Sequence, residues 1–199
     1  MPEDDGKPRR VFFALWPGET GLETLDELGK RLHARGGGRQ VSRQNLHITL
    51  AFIGEVAPVR IAALRQAAGR VAAADFSLRL DRLDCWRHRR IAWAGCSEPP
   101  PQLLSLVGQL RERLAEVGLQ LESGDYTAHV TLLRDVHCAR CTPSPEFAPI
   151  EIKANEFVLV ESNLKREGPH YGVVARWRLV EANGSPDRTG GMAAPYRSG

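Results

Sequence analysis

The sequence predicts an α+β fold built mainly from antiparallel sheet. About seven strand-like segments occur with three helical ones, two of the helices are separated by adjacent strands, and one strand motif occurs twice. A doubly wound parallel sheet would alternate strand and helix regularly. The chain has 199 residues, 42% hydrophobic and 26% charged, which is typical of a globular protein long enough to bury a core in one large or two small domains.

The first half of the chain alternates strand and helix patterns. Residues 10–16 are a short apolar run ended by a Pro-Gly pair, which predicts a buried strand. A helix is predicted next, ending before the glycines at 36–38, because four leucines recur at helical spacing: Leu22, Leu25, Leu28 and Leu32. Residues 45–53 predict a second apolar strand. Pro58 then occupies the first turn of a helix with one apolar face.

The second half contains more strands than helices. Residues 76–81 alternate apolar and polar side chains, as a half-buried strand does, and residues 91–95 are the expected hairpin partner across the basic turn 87–90. An apolar stripe over residues 103–117 predicts the third helix, which ends at Gly118. Three further strands are predicted, at 128–133, 157–160 and 171–179.

Both ends of the chain are predicted to lie outside the fold. Residues 182–199 are polar and rich in glycine, with no apolar period that could offset the entropy of ordering them. We therefore expect a disordered tail over 1–8, a single domain over 9–181 and a disordered tail over 182–199. The start lacks an apolar signal core and no run is long enough to span a membrane, so we expect a cytoplasmic protein.

Arginine and cysteine usage give weaker indications. The 27 basic residues comprise 23 Arg and only 4 Lys, a bias that suits a phosphate-bearing partner but that genome composition also produces. Four cysteines, Cys85, Cys96, Cys138 and Cys141, are expected to stay thiols in a reducing compartment. The Cys-x-x-Cys pair at 138 and 141 favours an ordinary loop. A zinc half-site without its second pair, or a redox-sensitive thiol pair, are the alternatives.

Two predicted strands carry the same motif. Residues 47–50 read His-Ile-Thr-Leu, and residues 129–132, which begin 82 positions later, read His-Val-Thr-Leu. The repetition predicts an internal duplication and so one domain of two similar lobes, each half of the chain supplying a helix and further strands. Because side chains alternate along a strand, each histidine shares a face with its threonine. If the two strands meet across a cleft, two imidazoles and two hydroxyls converge there.

Such a set suits phosphodiester chemistry without a metal ion. A neutral imidazole can take a proton from an attacking water, while a protonated one gives a proton to the departing ribose oxygen. The two threonine hydroxyls can donate hydrogen bonds to the non-bridging phosphate oxygens. A single His-x-Thr strand is most often only a surface histidine, but two copies favour the functional interpretation.

The two motifs resemble the signature of the two-histidine (2H) phosphoesterases, in particular the LigT-like RNA 2′,3′-cyclic phosphodiesterases, also called 2′-5′ RNA ligases. The similarity covers nearly the whole predicted domain: residues 10–15, 47–56, 129–134, 161–164, 168–171 and 175–177. It implies a bilobal fold of two pseudo-symmetric lobes, with helices outside and a central cleft. It also implies metal-free hydrolysis of a 2′,3′-cyclic phosphate at an RNA end to a 2′-phosphate, with no cofactor.

By motif match, the resemblance implies that His47 and His129 are the catalytic pair, that Thr49 and Thr131 bind the phosphate, and that Arg134 is a further phosphate or substrate contact. Regular alternation places Arg134 on the opposite face from His129, so it reaches the cleft only if the strand ends or bulges first. The motif is symmetric and leaves open which histidine is the acid.

Some contacts and activities stay open at this point. Phe12 or Phe13 is a candidate for stacking a terminal base, and the basic turn 87–90 beside Trp86 is either an RNA contact or a solvated hairpin tip. The expected partner is RNA with 2′,3′-cyclic phosphate ends, including tRNA fragments, or a nucleoside cyclic phosphate, bound by a monomer. The alternatives are 2′-5′ ligation, hydrolysis of a small cyclic nucleotide, and a non-catalytic module that binds RNA ends.

Overall fold

The computed structural model describes residues 6–121, 124–141, 146–165 and 168–181. The strands in these ranges are β1 (Arg9–Leu15), β2 (Arg39–Gln40), β3 (Ile48–Val56), β4 (Phe76–Leu80), β5 (Arg82–Trp86), β6 (Ile91–Gly95), β7 (His129–Arg134), β8 (Ile150–Ala154), β9 (Glu156–Lys165) and β10 (Gly168–Arg178). The helices are α1 (Glu19–Gly36), α2 (Arg60–Ala68), α3 (Pro101–Glu116) and the single turn α4 (Cys138–Cys141), and a 3-10 turn spans Arg43–Asn45.

The strands form one large antiparallel sheet and one small one. The main sheet has the order β10-β9-β1-β3-β7-β6-β5, and β2 adds to β7 beside it. Strands β4 and β8 pair separately as a two-stranded sheet. All of these strand pairs are antiparallel, so the predicted α+β class is confirmed.

The main sheet narrows at its centre. Strands β1 and β3 are paired along their length, from Arg9 to Leu15, whereas β3 meets β7 through one backbone pair, Ile48 opposite Val130. The sheet therefore consists of two halves, β10-β9-β1-β3 and β7-β6-β5, which accords with the expected two lobes. The first residue of each His-x-Thr motif lies directly before this central pair.

Each half of the sheet is covered by a helix from the other half of the chain. Helix α1 packs against β7, β8 and α4, whereas α3 packs against α2 and β3. The reason is the chain path: α1 leads from β1 to β2, which pairs with β7, before the chain returns to form β3. The two lobes are thus not consecutive halves of the chain, contrary to the simple duplication that the repeated motif predicts.

One face of the main sheet forms the hydrophobic core with the helices. Alternate residues of β1, including Phe13, join the leucine stripes of α1 and α3 in one large buried cluster. The intervening residues, Phe12 and Ala14, pack on the other face with Val158 and Val160 of β9. The second face is partly open, so polar side chains of β3 and β7 can lie there. None of the described helices is long and apolar enough to cross a membrane.

Several predicted elements need correction. Strand β6 pairs with β5, a strand that was not predicted, while the strand predicted at 76–81 is β4 and pairs with β8. The sequence of β5 has no regular alternation of apolar and polar residues, because its side chains are partly exposed at the edge of the sheet. Strand β8, which follows the proline-rich loop, alternates buried and exposed residues but was not predicted. Residues 43–45, close to the predicted strand start at 45, form the 3-10 turn, so that strand begins at Ile48.

The cysteines also differ from expectation. Cys138 of α4 forms a disulfide with Cys85 of β5, with Cα atoms 5.6 Å apart. The expectation that all four cysteines stay thiols is therefore wrong, and Cys138 is not available for a zinc half-site or a pair with Cys141. Helix α4 packs against β5 and β6, a tertiary contact that local spacing does not reveal. Cys96 and the buried Cys141 are free thiols.

The predicted tails fall largely outside the described residues. Residues 1–5 and 182–199 lie outside the described ranges, and residues 6–8 are described without regular structure. The division into two tails and one domain over 9–181 therefore stays a prediction.

Candidate active site

The first His-x-Thr motif is held by a backbone contact just before β3. The Nδ1 atom of His47 lies 2.7 Å from the carbonyl oxygen of Asn45. A carbonyl only accepts hydrogen bonds, so Nδ1 carries the proton and Nε2 is the basic nitrogen. Nε2 lies 3.1 Å from the Thr49 hydroxyl, which can donate to it. The turn and the strand thus fix both the tautomer and the direction of this imidazole.

The second motif repeats this arrangement in β7. The Nδ1 atom of His129 lies 2.8 Å from the carbonyl oxygen of Thr127, again two residues earlier in the chain. The same reasoning leaves Nε2 of His129 as its basic nitrogen. Both imidazoles are therefore oriented by their own backbone, with Nε2 available for proton transfer.

Aromatic side chains pack around both imidazoles. The ring of His47 lies 4.8 Å from Phe12, 5.9 Å from Trp16 and 5.3 Å from Tyr171, measured between ring centroids. The ring of His129 lies 4.6 Å from Trp86 and 6.0 Å from Trp93. These contacts exclude water from much of each ring and restrict its rotation.

Burial among these rings makes both histidines weak bases. Desolvation lowers the pKa of His47 from 6.5 to about 4, against the opposing effect of its bond to the Asn45 carbonyl, and the nearby charges of His129 and Arg134 lower it further. Desolvation likewise lowers the pKa of His129, with Arg134 and Arg89 acting in the same direction. In the free protein at neutral pH, both imidazoles are therefore uncharged.

A β-bulge turns Arg134 toward the cleft. Trp93 of β6 lies opposite Thr131, and the next residue, Ala92, lies opposite Leu133, so Leu132 has no partner of its own. The extra residue shifts the alternation, which is why Leu132 and Leu133 are both buried and Arg134 is exposed. Arg134 lines the same cavity as His129 and Thr131. The condition under which Arg134 was expected to reach the cleft, a bulge earlier in the strand, is therefore met.

Strand β3 contains the same irregularity. Ala14 of β1 lies opposite Thr49 and Phe13 opposite Ala51, which leaves Leu50 as the extra residue. Phe52 therefore occupies, after His47, the position that Arg134 occupies after His129. Its side chain is 52% exposed, and the Arg10 guanidinium lies 5.1 Å above the ring. Phe52 was not among the predicted site residues, although its equal spacing from a motif histidine was a usable signal.

The two expected base-stacking candidates do not fill that role. Phe13 is fully buried in the core between sheet and helices. Phe12 is 3% exposed and packs against His47 on the opposite face. Each ring is covered because β1 is a central strand of the sheet, so neither offers a free face to a base. Burial therefore argues against base stacking by Phe12 or Phe13, whereas Phe52 is exposed where it lines the cleft.

The side chains of both motifs line one cleft. Its volume is about 580 Å³, and its lining includes His47, Thr49, His129, Thr131, Arg134 and Phe52. The basic turn 87–90 contributes Arg89 to the lining, and the Arg89 guanidinium lies 5.9 Å from the Trp86 ring. Among the described residues, no three His, Cys, Asp or Glu side chains are grouped closely enough to hold a metal ion. The cleft thus brings together two imidazoles, two hydroxyls and several guanidinium groups, a set suited to phosphate.

Comparison with known proteins agrees with this geometry. The model of the family described as LigT like Phosphoesterase matches residues 15–93, which include the first motif. The RNA 2′,3′-cyclic phosphodiesterase of Escherichia coli (strain K12) is 34% identical over 176 residues, 88% of this chain and 99% of the relative.

Solved structures extend the similarity to the whole fold. The crystal structure of E. coli LigT complexed with 3′-AMP aligns with a TM-score of 0.77 at 31% identity, covering 88% of this chain and 100% of that one. TT0787 of Thermus thermophilus aligns with a TM-score of 0.71 at 26% identity, covering 87% of this chain and 99% of that one. With both His-x-Thr strands in one cleft and a relative of this identity matched along its full length, the chain belongs to the LigT-like phosphoesterase family of 2H enzymes.

Proposed function

We propose that the protein is an RNA 2′,3′-cyclic phosphodiesterase. The observation that carries this proposal is the convergence of His47, Thr49, His129 and Thr131 in one cleft, each imidazole held by the same backbone contact. The E. coli relative is an RNA 2′,3′-cyclic phosphodiesterase, and E. coli LigT holds 3′-AMP in a crystal structure. Both support a nucleotide phosphate as the ligand of this cleft.

The proposed reaction is an attack of water on the cyclic phosphate. Nε2 of one histidine takes a proton from the water, whose oxygen forms a bond to phosphorus. The bond from phosphorus to the ribose 3′ oxygen breaks, and the other histidine, as imidazolium, gives its proton to that oxygen. The product carries a 2′-phosphate and a free 3′-hydroxyl. The imidazoles supply both proton transfers, so the proposed mechanism is independent of metal ions.

The hydroxyls and Arg134 stabilise the charge that builds on phosphate. Thr49 and Thr131 lie on the cleft face beside their histidines and can donate to the non-bridging oxygens. The Arg134 guanidinium adds a permanent positive charge with two donors in one plane. Thr49 donates to Nε2 of His47 in the free protein, so its hydroxyl must turn to phosphate when the substrate binds.

Substrate binding promotes the uptake of the missing proton from solvent. Both imidazoles are uncharged in the free protein, but the reaction needs one imidazolium. An anionic phosphate within hydrogen-bond distance favours the charged form and raises the pKa of the histidine beside it. The acid therefore forms in the complex, where it is needed.

Phe52 is the proposed platform for the terminal base. Its ring is exposed at the cleft, while Arg10 lies over it. Aromatic rings bind bases of any sequence by stacking, at about 1–3 kcal/mol per base. Together with Arg89, which also lines the cleft, this suits a single-stranded RNA end.

The test is incubation with a nucleoside 2′,3′-cyclic phosphate and with an RNA oligonucleotide of the same ending, both in the presence of EDTA. We expect a 2′-phosphate product from both. Binding without turnover would instead identify a non-catalytic module for RNA ends, and a joined product would identify 2′-5′ ligation. A 3′-phosphate product would contradict the proposed direction of ring opening.

The remaining expectations are part of this proposal. One chain supplies both His-x-Thr motifs, so the proposed mechanism needs no second copy, and the monomeric state stays a prediction. The use of tRNA fragments and the cytoplasmic location stay predictions.

A further inference from the structure

A second cavity opens off the cleft on the side of His47. Its volume is about 310 Å³, within the range of small-ligand sites. We call it the side pocket. The two spaces adjoin along the six residues that line both, which are Arg39, His47, Thr131, Arg134, Pro169 and Tyr171. Beyond this boundary the side pocket is lined by the turn after β2 and by the start of β10, including Ser42, Gln44 and His170.

The side pocket and its boundary differ in charge. Arg39 and Arg134 place guanidinium groups where the pocket joins the cleft. Among the residues that the structure describes, those that line only the side pocket include no Lys, Arg, Asp or Glu. A ligand that fits this pattern has an anionic group at the boundary and an uncharged polar group beyond it.

Polar side chains in the side pocket can form hydrogen bonds with such an uncharged group. Ser42 precedes the 3-10 turn, but its hydroxyl does not cap that turn, and the Gln44 side chain is exposed. In contrast, the Gln40 amide is bound to Asp26 and the Asn45 amide to the Pro169 carbonyl. A hydroxyl and an exposed amide can read the edge of a base, since both donate and accept hydrogen bonds.

The wall of the side pocket is connected to the catalytic histidine. The buried Asn45 amide donates to the Pro169 carbonyl over 2.7 Å, and the Asn45 carbonyl accepts from Nδ1 of His47, also over 2.7 Å. A ligand that rests on this wall therefore contacts the residue that orients the imidazole. Occupancy of the pocket and catalysis are expected to be coupled.

We propose that the side pocket binds a second nucleotide, the one that precedes the cyclic phosphate end in an RNA chain. This inference rests on the proposed function, which places the cyclic phosphate between the two histidines. The phosphate that links the two nucleotides lies at the boundary beside Arg39, and the preceding base lies beside Ser42 and Gln44. The protein then prefers an RNA end to a free nucleoside cyclic phosphate.

The experiment compares adenosine 2′,3′-cyclic phosphate with the adenosine dinucleotide that ends in a 2′,3′-cyclic phosphate. The ratio of kcat/KM for dinucleotide over mononucleotide should exceed one. Gln44→Ala should lower that ratio by about three- to tenfold, the effect of one lost hydrogen bond. Gln66→Ala, which removes an exposed amide on α2 away from the cleft, is the matched control and should leave the ratio unchanged.

A second variant tests occupancy itself. Ser42→Trp places an indole in the side pocket from an exposed position and should abolish the preference for the dinucleotide. A wild-type ratio of one, or a ratio that neither variant changes, overturns the inference. If the variants change only inhibition by free 5′-AMP, the pocket takes a detached nucleotide and the inference is again wrong.

Failure of the proposed function would look different. If neither substrate is turned over, the proposed function fails, and the side pocket is tested by binding alone. The dinucleotide with a terminal 2′-phosphate should bind more tightly than adenosine 2′-phosphate, and Gln44→Ala should remove the difference. Equal affinities overturn the inference without reference to catalysis.

Discussion

Leu50 and Leu132 are equivalent residues: each is the extra residue of a β-bulge, three positions after a motif histidine. Each bulge returns the strand to the cleft face two residues later. The first half of the sheet places the aromatic ring of Phe52 there, and the second half places the guanidinium of Arg134. The two halves thus share the same β-bulge but place different side chains in the cleft, one suited to a base and the other to a phosphate.

Removing either histidine should nearly abolish turnover. His47→Ala and His129→Ala each delete one proton-transfer group, and such groups contribute about 10²–10⁴-fold in rate. We expect kcat on a nucleoside 2′,3′-cyclic phosphate to fall by at least about 10²-fold, while circular dichroism shows an intact fold. Near-normal kcat in either variant would refute the two-histidine mechanism.

The pH dependence of the free enzyme should be shifted to acid. Burial lowers the pKa of His47 to about 4 and also lowers the pKa of His129 below 6.5. Since kcat/KM reports the free enzyme, it should be bell-shaped, be highest below pH 6.5, and fall as rising pH removes the last imidazolium. The alkaline limb of kcat should lie at higher pH, because bound phosphate raises the pKa of the acid. A flat profile of kcat/KM between about pH 4 and 9 contradicts paired imidazoles.

Phe52 should contribute to substrate affinity through the base. Phe52→Ala removes an exposed ring, so we expect KM for adenosine 2′,3′-cyclic phosphate to rise by at least about fivefold, corresponding to about 1 kcal/mol of stacking. Phe52→Tyr should retain most of the affinity. Leu104→Ala on α3 removes another exposed apolar side chain and serves as the control. An unchanged KM in Phe52→Ala would show that the base does not bind on Phe52.

The disulfide between Cys85 and Cys138 should stabilise the fold. It closes a loop across 53 positions, which in the chain-entropy model corresponds to about 4 kcal/mol. Cys85→Ser should therefore lower Tm, and a thiol reductant should lower Tm of the parent protein but not of this variant. Cys96→Ser, which removes a free thiol, is the control. If the parent protein has the same Tm with and without reductant, the disulfide does not contribute as expected.

The elements that the sequence predicted well are those whose pattern is local. The leucine stripes of α1 and α3 and the His-x-Thr alternation follow from one segment at a time, and all three are found in the structure. The bulges depend on the partner strand, so Phe52 was missed and the access of Arg134 stayed conditional. The Cys85 disulfide and the pairing of β4 with β8 join segments far apart in the chain, which no local period encodes.

The exchange of α1 and α3 between the halves of the sheet makes the two lobes mutually dependent. A chain cut in the loop at 96–100 would separate β7 from α1, which covers it, and β3 from α3. Each fragment would then expose an uncovered apolar face and could bury it only against the other. The fragments are therefore expected to acquire native structure only when they combine, so the single active-site cleft is the product of two intertwined polypeptide segments rather than of two docked modules.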